Sequence, residues 1–186
     1  MTIRFGEQRL NHSQGIAILL CERTSRRIRL LPRASYIITP MEKTPKDKLL
    51  ARINRKDWWH VPPSDPQAYE KRGMFLASTF REAEFWGRPL DTPIRASVTN
   101  PIIGDETTLQ TELQVIAPEY PGADSPKLIE WRWKLDAKLK KAAVARGYDA
   151  IVLLSPGGYA KFLAEGKIPI SIELNLVGGL QNSSLR

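Results

Sequence analysis

The sequence predicts an α+β domain with antiparallel or mixed sheets, not a doubly wound parallel one. Two observations carry this. Short β-like runs bounded by turn residues recur along the chain, at residues 16–21, 28–31, 34–39, 73–77, 94–98, 113–117, 150–154 and 168–177. Strands therefore dominate, and helices are few and lie between them. The 186 residues suit a single domain over 1–186, because domains run to roughly 100–200 residues. Within it, residues 1–55 form a basic N-terminal part, 56–177 a core, and 178–186 a Gly/Ser/Asn-rich tail expected to fray.

Residues 16–21 and 28–31 flank the polar turn 22–27, which suits a hairpin. Residues 34–39 make a third short strand, stopped by Pro40. Residues 45–54 read as a helix: Thr44 caps it, Pro45 suits its first turn, and Leu49, Leu50 and Ile53 share a face. Trp58, Trp59, His60 and Val61 then lead into a loop at 62–71 with three prolines. Residues 73–77 are a buried strand, and Thr79 caps a helix over 80–86 that Gly87 ends. Residues 94–98 alternate as a strand and run into the turn Asn100-Pro101, and a further strand is expected at 113–117. The clearest helix is 126–146, with Ser125 as cap, Pro126 in its first position and Gly147 after its last turn. Leu128, Trp131, Leu135, Leu139, Ala142 and Ala143 make its apolar stripe. A buried strand at 150–154, a loop at 155–158, a short helix at 159–165 and a final strand at 168–177 complete the chain.

Composition is that of a globular protein, 42% hydrophobic and 26% charged. The single cysteine, Cys21, cannot form an internal disulfide, and no Cys/His cluster suggests zinc. It sits in an apolar run and reads as a small buried hydrophobe. That run is far shorter than the ~20 apolar residues of a membrane span. The N-terminus lacks the basic-then-apolar plan of a signal peptide. The expected location is the cytoplasm, of the producing cell or of a target cell, with no membrane partner. Net charge is +8. Basic residues gather at 23–33, at 43–56 and at Lys134, Lys138, Lys140 and Lys141. A solvated surface accounts for any one group; three together point to a polyanion such as RNA or DNA.

Three segments carry a family likeness. GMFLASTFREAEFWG at 73–87 aligns without a gap with a strand–helix segment of the ADP-ribosyltransferases, and most resembles the poly-ADP-ribose-polymerase and diphtheria-toxin-like branch. IRASVTNPII at 94–103 resembles that fold's strand followed by Asn-Pro-Leu. AAVARGYDAIVL at 142–153 resembles its Gly-Tyr-Asp helix–strand junction. The three occur in the family's order and cover about half the chain.

The resemblance implies two small mixed or antiparallel sheets around an NAD cleft, with flanking helices. It implies a mono-ADP-ribosyltransferase of toxin or effector type, which cleaves NAD at its nicotinamide N-glycosidic bond and passes ADP-ribose to a macromolecular acceptor. An antitoxin or inhibitor protein would be a natural partner. The transition state is oxocarbenium-like, so the site needs a polar group for the adenosine-side ribose, an aromatic wall for nicotinamide and a carboxylate by the nicotinamide ribose. By the family's pattern Phe85 is the stacking aromatic, with Trp86 beside it and Phe75 on the preceding strand. Ser78 and Thr79 match a Ser-Thr-Ser element, and Thr79 also reads as a plain N-cap. His60 takes the first position, although the chain reads Trp-Trp-His-Val-Pro without the family's Gly-Thr or Gly-Ser; Arg33 is the alternative. Glu173, on the polar side of the last strand, is the carboxylate, with Glu165 as the alternative. Ser171 stands two residues before Glu173, where Arg-directed toxins carry Gln or Glu; this leaves a nucleic-acid acceptor open. Two other readings remain: a non-catalytic module that binds nucleic acid or a partner, and an NAD-dependent RNA 2′-phosphotransferase.

Overall fold

A computed structural model describes residues 42–178. The expected strands at 16–21, 28–31 and 34–39, Cys21, Arg33, the basic group at 23–33 and the tail beyond Gly178 lie outside the described residues. Among the described residues, two sheets and six helices make a mixed α+β fold.

Helix α1 (Pro45–Ile53) begins as expected. Thr44 and Asp47 form a reciprocal capping box: the Asp47 amide donates to Thr44 Oγ1 at 3.1 Å and the Thr44 amide to Asp47 Oδ2 at 3.1 Å. Leu49 and Ile53, one turn apart, are fully buried. Strand β1 (Asp57–Trp58) pairs antiparallel with β3 (Ile94–Arg95). Between them come α2 (Gln67–Arg72), β2 (Met74–Ala77) and α3 (Phe80–Glu84). The chain continues through β4 (Pro101–Gly104), α4 (Glu106–Leu113), α5 (Leu128–Ala145), β5 (Ala150–Leu153), α6 (Pro156–Glu165) and β6 (Glu173–Leu176). The larger sheet has the order β2-β6-β5-β4. Its β4–β5 pair is parallel and the other two are antiparallel. One bridge joins the sheets: Trp59 N–H donates to the Ala77 carbonyl at 3.0 Å, and Ala77 N–H to the Trp59 carbonyl at 2.8 Å.

Alternation along the strands splits the interior into two layers. Trp58, Met74, Leu76, Ala150, Val152, Ile172 and Leu174 face α1 and Phe162 of α6. Ile102, Ile151 and Val177 face Leu109 and Leu113 of α4 and Leu135, Leu139 and Ala143 of α5. Helices thus cover both faces of the larger sheet. Among the described residues no helix is long and apolar enough to cross a membrane.

Several expectations need correction. Among the described residues helix outweighs strand. The expected strand at 113–117 is absent: Leu113 closes α4, and Gln114 ends it in the left-handed conformation at φ 54°. Asp105 caps that helix by accepting the Thr108 amide at 2.8 Å, and Leu109 and Leu113 bury one turn apart. Part of the expected loop at 62–71 is α2, nucleated where Asp65 accepts the Gln67 amide at 2.9 Å. Part of the loop at 155–158 opens α6: Ser155 accepts the Gly158 amide at 3.2 Å and Pro156 fills the first turn. The strand at 94–98 stops at Arg95, because Val98 pairs with a side chain. Its amide donates to Asn54 Oδ1 and its carbonyl accepts from Asn54 Nδ2, both at 2.8 Å. Helix α5 starts at Leu128, and Ser125 instead closes a turn by accepting the Lys127 amide at 3.2 Å. The final strand starts at Glu173. Before it, the Arg52 guanidinium takes the carbonyl of Pro169 at 2.9 Å, where a neighbouring strand would otherwise bond.

Two of the family-like segments meet through Asp149. Its carboxylate accepts the Thr99 amide at 2.6 Å, the Thr99 hydroxyl at 2.7 Å and the Asn100 amide at 3.0 Å. Asn100 Nδ2 donates back to the Gly147 carbonyl at 2.9 Å. These contacts fix where β4 and β5 begin their parallel ladder. Here the Gly-Tyr-Asp and Thr-Asn-Pro residues build the sheet.

Candidate functional site

Alternation sends Ile172 and Leu174 into one core, and Glu173 and Asn175 to the opposite face of the sheet. Ala77 pairs with Glu173 on one side and with Trp59 on the other. Directly paired residues share a face, so Trp59, Ala77 and Glu173 form one cross-strand row. Beside this row lies a cavity of about 20 Å³, room for one water molecule. Phe75, Glu106, Arg132, Asp136, Glu173 and Asn175 supply its aromatic and polar lining.

Arg132, on α5, holds the polar group together. Its three guanidinium nitrogens face three carboxylates. Nη1 donates to Glu106 Oε2 at 2.7 Å, Nε meets Asp136 Oδ1 at 2.9 Å one turn on, and Nη2 stands 3.8 Å from Glu173 Oε1. Asp136 is 7% exposed at its side chain and Glu173 one-third exposed, at 33%. Burial pushes the Asp136 carboxyl up to about 6, against the pull of Arg132 and with a further push from Glu173. Burial also raises Glu173; Arg132 opposes this and Glu106 adds to it. Burial works to lower the Arg132 value, yet the three carboxylates leave it raised, so its charge is permanent. The arrangement can hold a proton near neutrality beside a fixed cation, and it presents one partly exposed carboxylate at the end of the Trp59–Ala77 row.

Of the residues expected from sequence, Phe75 and Glu173 line this cavity together. Ser78 is buried and donates to Glu82 Oε2 at 2.6 Å, while its oxygen takes the Ile172 amide at 3.4 Å. Thr79 is the N-cap of α3, accepting the Glu82 amide at 3.2 Å. Phe85 and Trp86 stand edge-on to each other, with centroids 5.1 Å apart, at the exposed end of α3. His60 is buried on the face opposite Glu173. Its Nδ1 lies 2.8 Å from the Phe75 carbonyl, so it carries the proton, and Nε2 accepts from the Tyr69 hydroxyl at 2.7 Å. Burial lowers the His60 value, which keeps the ring neutral. Glu165 ends α6, exposed.

Sequence reasoning missed Arg132, Asp136, Glu106 and Trp59. Its apolar stripe for the long helix ran beside Arg132 and Asp136. An Arg–Asp pair four residues apart at the edge of a buried stripe was the available signal. Trp59 was passed over for its neighbour His60, although strand alternation separates the two.

Fold and site together define a class: a mixed α+β protein with a carboxylate–guanidinium group beside a central antiparallel strand. Among the described residues no group of three or more His, Cys, Asp or Glu side chains is arranged to hold a metal ion. No family model, curated protein or solved structure matched the chain.

Proposed function

We propose that the chain is an NAD-dependent mono-ADP-ribosyltransferase with Glu173 as its catalytic carboxylate. The observation that carries this reading is the row Trp59–Ala77–Glu173. Neighbouring strands lie roughly 4.8 Å apart, so the Trp59 and Glu173 backbones stand about 10 Å apart with the small Ala77 side chain between them. Along this row the nicotinamide riboside unit would have an aromatic surface on one side and a carboxylate on the other. The neighbours β1, β2 and β6 also supply, side by side, the strands on which the resemblance expects the site. Trp59 and Phe75 serve as the aromatic wall better than the exposed Phe85 and Trp86. His60 then ties the segment after β1 to β2 through Phe75 and to α2 through Tyr69.

In the reaction the bond between ribose C1′ and the nicotinamide nitrogen breaks, and neutral nicotinamide leaves with the electron pair. The ionised Glu173 accepts a hydrogen bond from a ribose hydroxyl and favours the positive charge developing at C1′. A nucleophilic oxygen or nitrogen of the acceptor then bonds to C1′ and gives up its proton to water. The +8 charge favours RNA or DNA as that acceptor.

One observation favours a second reading, a non-catalytic module that binds nucleic acid or a partner: both His60 ring nitrogens are satisfied internally. Incubation with NAD labelled in its ADP-ribose, plus mixed cellular protein, DNA and RNA, separates the two. Transfer that resists protease but not nuclease selects a nucleic-acid enzyme. Neither transfer nor NAD breakdown leaves the binding module.

A further inference from the structure

We infer that Arg132 is the positioning residue for Glu173: tethered by Glu106 and Asp136, it points its remaining nitrogen at Glu173 Oε1, favours the charged form of that carboxylate and orients it for the ribose. This rests on the enzymatic reading above and assigns the group that makes Glu173 usable.

Geometry carries the argument. The Glu106 and Asp136 contacts, at 2.7 and 2.9 Å, are direct charge-assisted bonds from two different helices. The Glu173 contact, at 3.8 Å, is looser. A guanidinium is a rigid planar fork. With two arms fixed, the direction of the third is set by α4 and α5 together, not by Glu173. The loose arm steers one Glu173 oxygen without saturating the carboxylate, and no hydrogen bond among the described residues occupies the other oxygen.

The charged groups around Glu173 are few. Helix α4 contributes Glu106, α5 contributes Arg132 and Asp136, and Arg72 of α2 acts on Asp136. The β2 and β5 side chains at the cavity, Phe75, Ile151 and Leu153, are uncharged, and Asn175 of β6 is neutral. Three carboxylates on one guanidinium leave an excess of negative charge, which Asp136 relieves by taking up a proton as pH falls through about 6. Glu173 then keeps the cation's field.

The test is a carbon-13 NMR titration of the Asp and Glu carboxyls in the full chain, alongside the pH profile of nicotinamide release. Arg132→Met should move the Glu173 midpoint up by about one pH unit or more, the scale expected for losing an opposite charge at this range. The acid limb of the activity profile should move with it, while KM for NAD changes little. Arg132→Lys restores the charge but not the fork. It should recover the midpoint and leave the turnover rate reduced roughly tenfold. Arg132→Gln, which keeps a polar side chain without the charge, should give the same upward shift; it decides the matter should Arg132→Met fail to fold. An unmoved Glu173 midpoint in Arg132→Met, or in Arg132→Gln, overturns the inference. A wild type that releases no nicotinamide removes the enzymatic reading, while the midpoints still decide whether Arg132 governs Glu173.

Discussion

At Asp136 the structure makes a carboxyl prefer its proton. The folded value is raised from 3.8 to about 6, so between those pH values the folded state binds more protons than the unfolded one. By linkage, this favourable contribution is full below the unfolded value and is lost as pH rises through the folded value. A shift of about two units corresponds to roughly 3 kcal/mol of stability lost between pH 4 and 6. Urea unfolding across that range should show the decline, and Asp136→Asn should flatten it. A wild-type stability that does not depend on pH there would contradict the burial argument. Strand alternation placed Glu173 on the polar side of the last strand with Ser171 and Asn175, and the family resemblance singled it out among them. Arg132, Asp136 and Glu106 were not, because their meeting depends on how α4 and α5 pack on the sheet, which no local pattern encodes.

Secondary elements were legible where a local hydrogen bond sets them. Thr44 and Thr79 cap α1 and α3 as their sequence positions indicate. Elements were misjudged where a distant side chain takes over a backbone group, as Asn54 does for Val98 and Arg52 does for Pro169. Gly73, the first residue of the segment at 73–87, has a double reason to be glycine. Its φ of +87° is unfavourable for other residues, and a Cβ there would collide with Asn175 Oδ1 and lie 2.8 Å from the Leu176 carbonyl. Asn175 in turn donates to the Arg72 carbonyl at 2.8 Å, so this contact locks the start of β2 against β6. Gly73→Ala should cost at least about 2 kcal/mol, read by thermal or urea unfolding. An unchanged midpoint would show that the two strands do not meet this closely.

For the molecule as a whole, the sequence indicated the mixed α+β class but not the layering. Helices cover both faces of the larger sheet, which puts Glu173 beneath α4 and α5 and His60 in the opposite core. Stability should follow the same order. Strands β5 and β6 are paired on both edges and covered on both faces, whereas β1 and β3 rest on a two-residue ladder and one bridge. Amide hydrogen exchange should therefore be slowest in β5 and β6 and markedly faster in β1 and β3. Equal protection across both sheets would contradict this picture.

The central claim is that Glu173 assists cleavage of the nicotinamide–ribose bond. Nicotinamide release from NAD, by wild type and by Glu173→Gln matched for folded content, tests it most directly. The wild type should release nicotinamide and the variant should lose at least about a hundredfold, the scale of removing one preorganised electrostatic group. Equal release by both proteins, or none by the wild type, would contradict it.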